Sequence, residues 1–184
     1  MTSLAEESLL LKKTVILAIF AAAAVVLGII ESMIPVGSFM MPGAKLGLAN
    51  IMILTCLYFL NGKDTLMLVV LKTLLTAMIL GTFSMLLFSL FGALLSFGVM
   101  YGLMKISRKR LSLIGISVAG GIAHNIGQLA AAAIVIDSLN IFYYLPVLMI
   151  AGVATGIVVG IAVRYLVNAL GHMKLFAPFV PNEY

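Results

Sequence analysis

The sequence predicts an all-α integral membrane protein: a bundle of six transmembrane helices with both termini cytoplasmic. Three observations carry that reading. Of 184 residues, 64% are apolar and only 9% charged, against roughly 45–50% and about 25% in soluble domains. The apolar residues fall into runs near the ~20 residues that a bilayer-crossing helix needs. The basic residues gather on alternate connections, as membrane orientation requires. The formal charge of +5 comes without tryptophan and without a basic stripe interleaved with aromatics, so it reads as orientation and not as a nucleic-acid footprint.

The first span is expected from Thr14 to about Ile34, closed by Pro35, Gly37, Pro42 and Gly43. Glu6 and Glu7 do not suit the basic start of a signal peptide, so this span is read as retained. The second runs from about Leu46 to Leu60 and ends at the turn Asn61–Asp64. It is short, which suggests a start inside the preceding loop or an inward tilt. The third covers Thr65 to about Leu80. The fourth, Ser84–Met104, is separated from it because Thr65–Met104 is too long for one crossing. The fifth covers Ser112–Ile136 and the sixth Pro146–Leu170. The chain reads as one membrane domain over 1–184, with a cytoplasmic segment 1–12, a bundle 13–170 and a cytoplasmic tail 171–184. A cytoplasmic N-terminus puts Lys12, Lys13, Lys63, Lys105, Arg108, Lys109, Arg110, Arg164 and Lys174 inside. Lys45 alone lies on an outer loop, and Lys72 falls within a span.

Ionisable and strongly polar groups within such spans are costly and tend to mark function. Lys72 lies midway along the third span beside Thr73 and Thr76. It is read either as paired with a carboxylate or as meeting an anionic ligand. His124, Asn125 and Gln128 form a second cluster, with His124 and Gln128 sharing a helix face. They line a substrate pocket or tie helices together. At the outer end, Glu31 closes the first span, and Lys45 and Asn50 flank the start of the second. There a cation and a helix N-terminus favour anions, in a Gly-rich loop able to act as a lid. The plainer alternative is a connector in which Glu31 pairs with Lys45. The three clusters together predict a pocket opening outward, with apolar walls and a few polar fixing points. Gly152, Gly156 and Gly160 permit close helix packing, either within the bundle or against another subunit.

No cofactor is expected. Cys56 is the one cysteine, no metal-ligand spacing surrounds His124, and no P-loop pattern occurs. The two aspartates, Asp64 and Asp137, lie far apart, so the paired aspartates that would hold Mg²⁺ on a diphosphate are missing. Catalysis by this chain alone is not expected.

PGAKLGLANI at Pro42–Ile51 and HNIGQL at His124–Leu129 resemble the membrane family described as heptaprenyl diphosphate synthase component I, or Gx transporter. That family is similar to the substrate-binding S components of energy-coupling factor (ECF) importers. The resemblance covers about Lys13 to Leu170. It implies an S-component-like bundle in a bacterial cell membrane that captures a small molecule at the outer face. It also implies partners: membrane lipid around it, a transmembrane coupling (T) subunit, and cytoplasmic ATPases. Ala18 and Ala22 occupy the small-residue positions at which such proteins dock on the coupling subunit. The expected cargo is small, partly apolar and anionic, such as an isoprenoid or quinone precursor. Lys72 and Lys45 would attract it, while His124, Asn125, Gln128 and Asn50 would fix its oxygens and Glu31 would orient Lys45. The synthase label implies instead a non-catalytic membrane scaffold for polyprenyl diphosphate synthesis, with the basic loop Lys105–Arg110 as the contact for a soluble enzyme. A stand-alone carrier is a third possibility, with Glu31 or Asp137 as its coupling carboxylate.

Overall fold

A computed structural model describes residues 2–34, 46–80, 83–107 and 111–181. Among these, six α-helices and two short 3₁₀ turns account for the architecture, and no strand occurs. The helices are α1 (Thr2–Met33), α2 (Asn50–Phe59), α3 (Gly62–Leu80), α4 (Phe83–Ser107), α5 (Leu113–Ile136) and α6 (Leu145–Gly171). The 3₁₀ turn Leu139–Tyr144 links α5 to α6, and a second, Ala177–Phe179, follows α6. Among the described residues, four stretches are long and apolar enough to cross a membrane: Glu6–Met33, Phe83–Ile106, Leu113–Ile136 and Leu139–Gly171.

The helix boundaries depart from the expected spans where local chemistry favours more helix or less. α1 begins at Thr2 and runs 32 residues, about 48 Å at 1.5 Å per residue, so most of the expected cytoplasmic segment 1–12 is helical. α3 begins at Gly62. The Asn61–Asp64 turn becomes its first turn, with the Thr65 amide donating to the Asn61 carbonyl at 3.0 Å and Asp64 at the positive helix end. α2 has only 10 residues. Its entry is delayed to Asn50 because Gly47 turns the chain with φ +91°, a conformation natural to glycine. Ser112 caps α5 by accepting from the Gly115 amide, and left-handed Asp137 ends it. Pro146 sits in the first turn of α6, where its missing N–H costs no helical bond.

α5 is the packing centre, lying closely against α4 and α6. The Gly152, Gly156 and Gly160 series faces inward. A Cβ at Gly156 would stand 2.5 Å from the Val118 Cα, and one at Gly160 would stand 2.6 Å from the Ile114 Cα. These glycines therefore serve the α5–α6 contact and are not a surface for another subunit. α2 is apolar all round because it is buried on nearly every side, from Met52 to Phe59.

One end of the bundle is defined by polar and aromatic contacts. Lys13 pairs with Asp64 at 2.8 Å, joining α1 to the start of α3. Phe176, beyond α6, packs on Phe20 (5.8 Å between ring centroids) and Phe59 (4.9 Å). Gly62 abuts Tyr101 near the end of α4. Outward faces are apolar, including Ile19 and Val26 on α1, Met67, Leu74 and Met78 on α3, and Ile150 and Val158 on α6.

Candidate functional site

The opposite end of the bundle holds a buried polar cavity built from five elements. α1 contributes Gly28 and Glu31, and the turn into α2 contributes Gly47 and Ala49. Lys72, Thr73 and Thr76 come from α3, Ser89 from α4 and His124 from α5. Helical spacing explains the α3 face: Lys72 and Thr76 are one turn apart and point the same way. The interior is about 10 Å³, the room of roughly one water molecule.

Three ionisable side chains meet here although none is on the protein surface. Glu31 is 5% exposed, Lys72 6% and His124 2%. Glu31 Oε1 accepts the backbone N–H of Gly47, so the carboxylate at the end of α1 holds the turn that leads into α2. That turn is tight. A Cβ on Gly47 would meet Asn50 Nδ2 at 2.9 Å and His124 Cδ2 at 3.3 Å. Gly92 of α4 presses on the other side of the imidazole, where a Cβ would lie 3.0 Å from His124 Cε1. The imidazole therefore sits between two bare backbones. Thr73 and Thr76 spend their hydroxyl protons on the carbonyls of Val69 (2.6 Å) and Lys72 (2.7 Å), leaving each oxygen as an acceptor. Ser89 is also buried, and its Oγ has no hydrogen-bond partner among the described residues.

The structure brings together Glu31, Lys72 and His124, three of the residues singled out in the sequence. Asn50 is buried at the start of α2, next to the turn but not on the cavity wall. Gln128 is one turn beyond His124, with its Cγ 2.9 Å from where a Cβ of Gly92 would be, and so lies at the α4–α5 contact. Asn125 faces the other way, donating to the Leu148 carbonyl of α6 at 2.5 Å. Lys45 and the Gly-rich stretch from Pro35 to Lys45 lie outside the described residues. Glu31 is therefore described in contact with Gly47. Ala18 and Ala22 are exposed on the outer face of α1, between Val15, Ile19 and Val26, away from the cavity.

Sequence reading missed Ser89, Gly28 and Gly47 as wall residues. Ser89 had a faint signal: it lies seven residues before Ser96 on α4, and both are buried, a spacing that repeats on one helix face. No group of three or more His, Cys, Asp or Glu able to hold a metal occurs among the described residues. The arrangement offers a donor-only ammonium, an acceptor-only carboxylate and an imidazole within an apolar bundle. It suits the binding of a small polar head.

A protein-family model described as heptaprenyl diphosphate synthase component I matches residues 20–166, from the middle of α1 to near the end of α6. No curated protein and no solved structure matches the chain.

Proposed function

The chain belongs to the heptaprenyl diphosphate synthase component I family, and we propose that it is the substrate-binding subunit of an ECF-type importer. The observation that supports this reading most is the cavity, where Glu31, Lys72 and His124 converge from three helices in an otherwise apolar bundle. Charges are not held at such depth without a use or a partner. In this reading all six helices lie in the membrane. α3 belongs among them because its outward face is apolar while Lys72 turns inward. α2 is too short to cross alone, at 10 residues or about 15 Å, and serves as a buried half-span.

The basic end, with Lys12, Lys13, Lys63, Lys105 and Lys174, faces the cytoplasm with both termini, and the cavity opens outward. Lys72 attracts the acidic group of a small, partly apolar molecule, while His124 and the threonine oxygens fix its polar atoms. Admission of a guest larger than water requires the walls to part. The Glu31–Gly47 contact is the link that such parting breaks. Ala18 and Ala22, small residues on an exposed face, give a coupling subunit room to dock. Separate ATPases supply the energy, and this chain performs no catalysis.

A second reading follows from the family's description, which names one component of a synthase. The chain then serves as a non-catalytic membrane partner of a soluble prenyl synthase. Native mass spectrometry of protein purified gently from its host membranes separates the two. Co-purified coupling and ATPase subunits support the importer. A soluble prenyl synthase in their place overturns it.

A further inference from the structure

The cavity carries one hydroxyl, on Ser89, that the described residues leave without a hydrogen bond. Ser89 is 6% exposed and lines the space, and its Oγ has no hydrogen-bond partner among the described residues. A buried hydroxyl left without a partner is costly, so a serine at this position calls for a complement. The neighbouring threonines differ: each already donates to its own helix. Ser89 keeps both a donor and acceptor capacity for whatever enters.

The fixed charges on the wall restrict what that is. Among the described residues, one ammonium (Lys72) and one carboxylate (Glu31) face the cavity, with His124 as the remaining titratable group. Glu31 is anchored by the Gly47 amide and cannot withdraw without opening the turn. Lys72 is the one lysine or arginine on the described wall, and the Glu31 carboxylate repels further negative charge, so an anion with more than one charge finds no second such cation to pair with. A buried charge without a partner is costly.

We propose that Ser89 is a ligand-binding residue. Its ligand's polar head combines one acidic group, placed at Lys72, with an O–H or N–H donor placed at Glu31, and Ser89 bonds to that head. A prenyl diphosphate does not fit this description, despite the family's name. The proposal rests on the capture reading above and specifies its cargo class.

The test uses the full chain in detergent and three probes, each titrated calorimetrically: 4-hydroxybenzoate, benzoate, and geranyl diphosphate without added metal. The small molecule released on denaturing chain purified from host membranes is identified in parallel. The expected result is that 4-hydroxybenzoate binds at least roughly tenfold tighter than benzoate, since a site built for a donor rejects the analogue lacking it. Ser89→Ala should weaken 4-hydroxybenzoate binding while thermal stability is kept, and a released molecule should carry one acid and at least one donor. Geranyl diphosphate binding that Lys72→Ala abolishes, or a released diphosphate, overturns the cargo class and leaves capture standing. Equal affinity for benzoate and 4-hydroxybenzoate, or an unchanged affinity in folded Ser89→Ala, overturns the roles of the donor and of Ser89. No binding by any probe and no released molecule overturns the capture reading itself.

Discussion

In the proposed capture role, Lys72 is the side chain on which ligand binding would depend most directly. It is 6% exposed on α3 and shares the cavity with Glu31 and His124. Lys72→Ala removes the only lysine among the described wall residues, and the expected outcome is at least a tenfold loss of affinity, about 1.4 kcal/mol, for an anionic probe such as 4-hydroxybenzoate. The protein should remain folded, as judged by unchanged helical circular dichroism. Unchanged affinity in that folded variant would remove Lys72 from the site. Lys72, His124 and Glu31 were legible in the sequence because an ionisable group in an apolar run has few harmless explanations. Asn125 and Gln128 were legible as buried polar groups but not as to direction. On one helix, Asn125 turns to the Leu148 carbonyl of α6 and His124 to the cavity, and adjacency in sequence does not distinguish the two faces. Ser89 gave no charge signal, and serine is common in helices that pack closely.

At the scale of elements, the helices follow from apolar run length, whereas their ends follow from details that run length does not contain. α2 starts late because of one positive φ at Gly47, and α3 starts early because its acidic first turn suits a helix N-terminus. The glycine series of α6 was legible as a close-packing surface, but its partner was not, since the spacing is the same for an internal or an external neighbour. The α5–α6 contact yields a stability prediction. At Gly156 an added Cβ would stand 2.5 Å from the Val118 Cα and 3.0 Å from the Ser117 carbonyl oxygen, both backbone atoms that yield only if the helices separate. Gly156→Ala should destabilise the bundle by about 1–3 kcal/mol, the usual cost of overpacking. Gly102 of α4 has nothing within 4 Å of such a Cβ, and Gly102→Ala should be neutral or stabilising by up to about 1 kcal/mol through helix propensity. Thermal melts of both variants in one detergent check the pair. Equal melting temperatures for the two would mean that α5 and α6 do not pack backbone to backbone at Gly156.

For the whole molecule, two asymmetries coincide. The ion pair Lys13–Asp64 and the Phe176 cluster mark one end; Lys63 and Lys105 at helix ends, Lys174 beyond α6 and Lys12, next to Lys13 within α1, belong to that side. The cavity lies towards the other end, where α1 finishes and α2 begins. Basic residues are retained on the cytoplasmic side during insertion, so the expected orientation puts this end inside and the cavity outward. The chain suits a direct test because Cys56, its one cysteine, is fully buried and contributes little background to thiol labelling. Asn140, in the link between α5 and α6, and Lys174, beyond α6, are both exposed and lie at opposite ends of α6. A membrane-impermeant maleimide should label Asn140→Cys in intact cells. It should label Lys174→Cys only after the membrane is permeabilised. The reverse pattern would place the cavity on the cytoplasmic face. Capture from outside would then be impossible, and the same polar cavity would face the compartment in which a soluble synthase works.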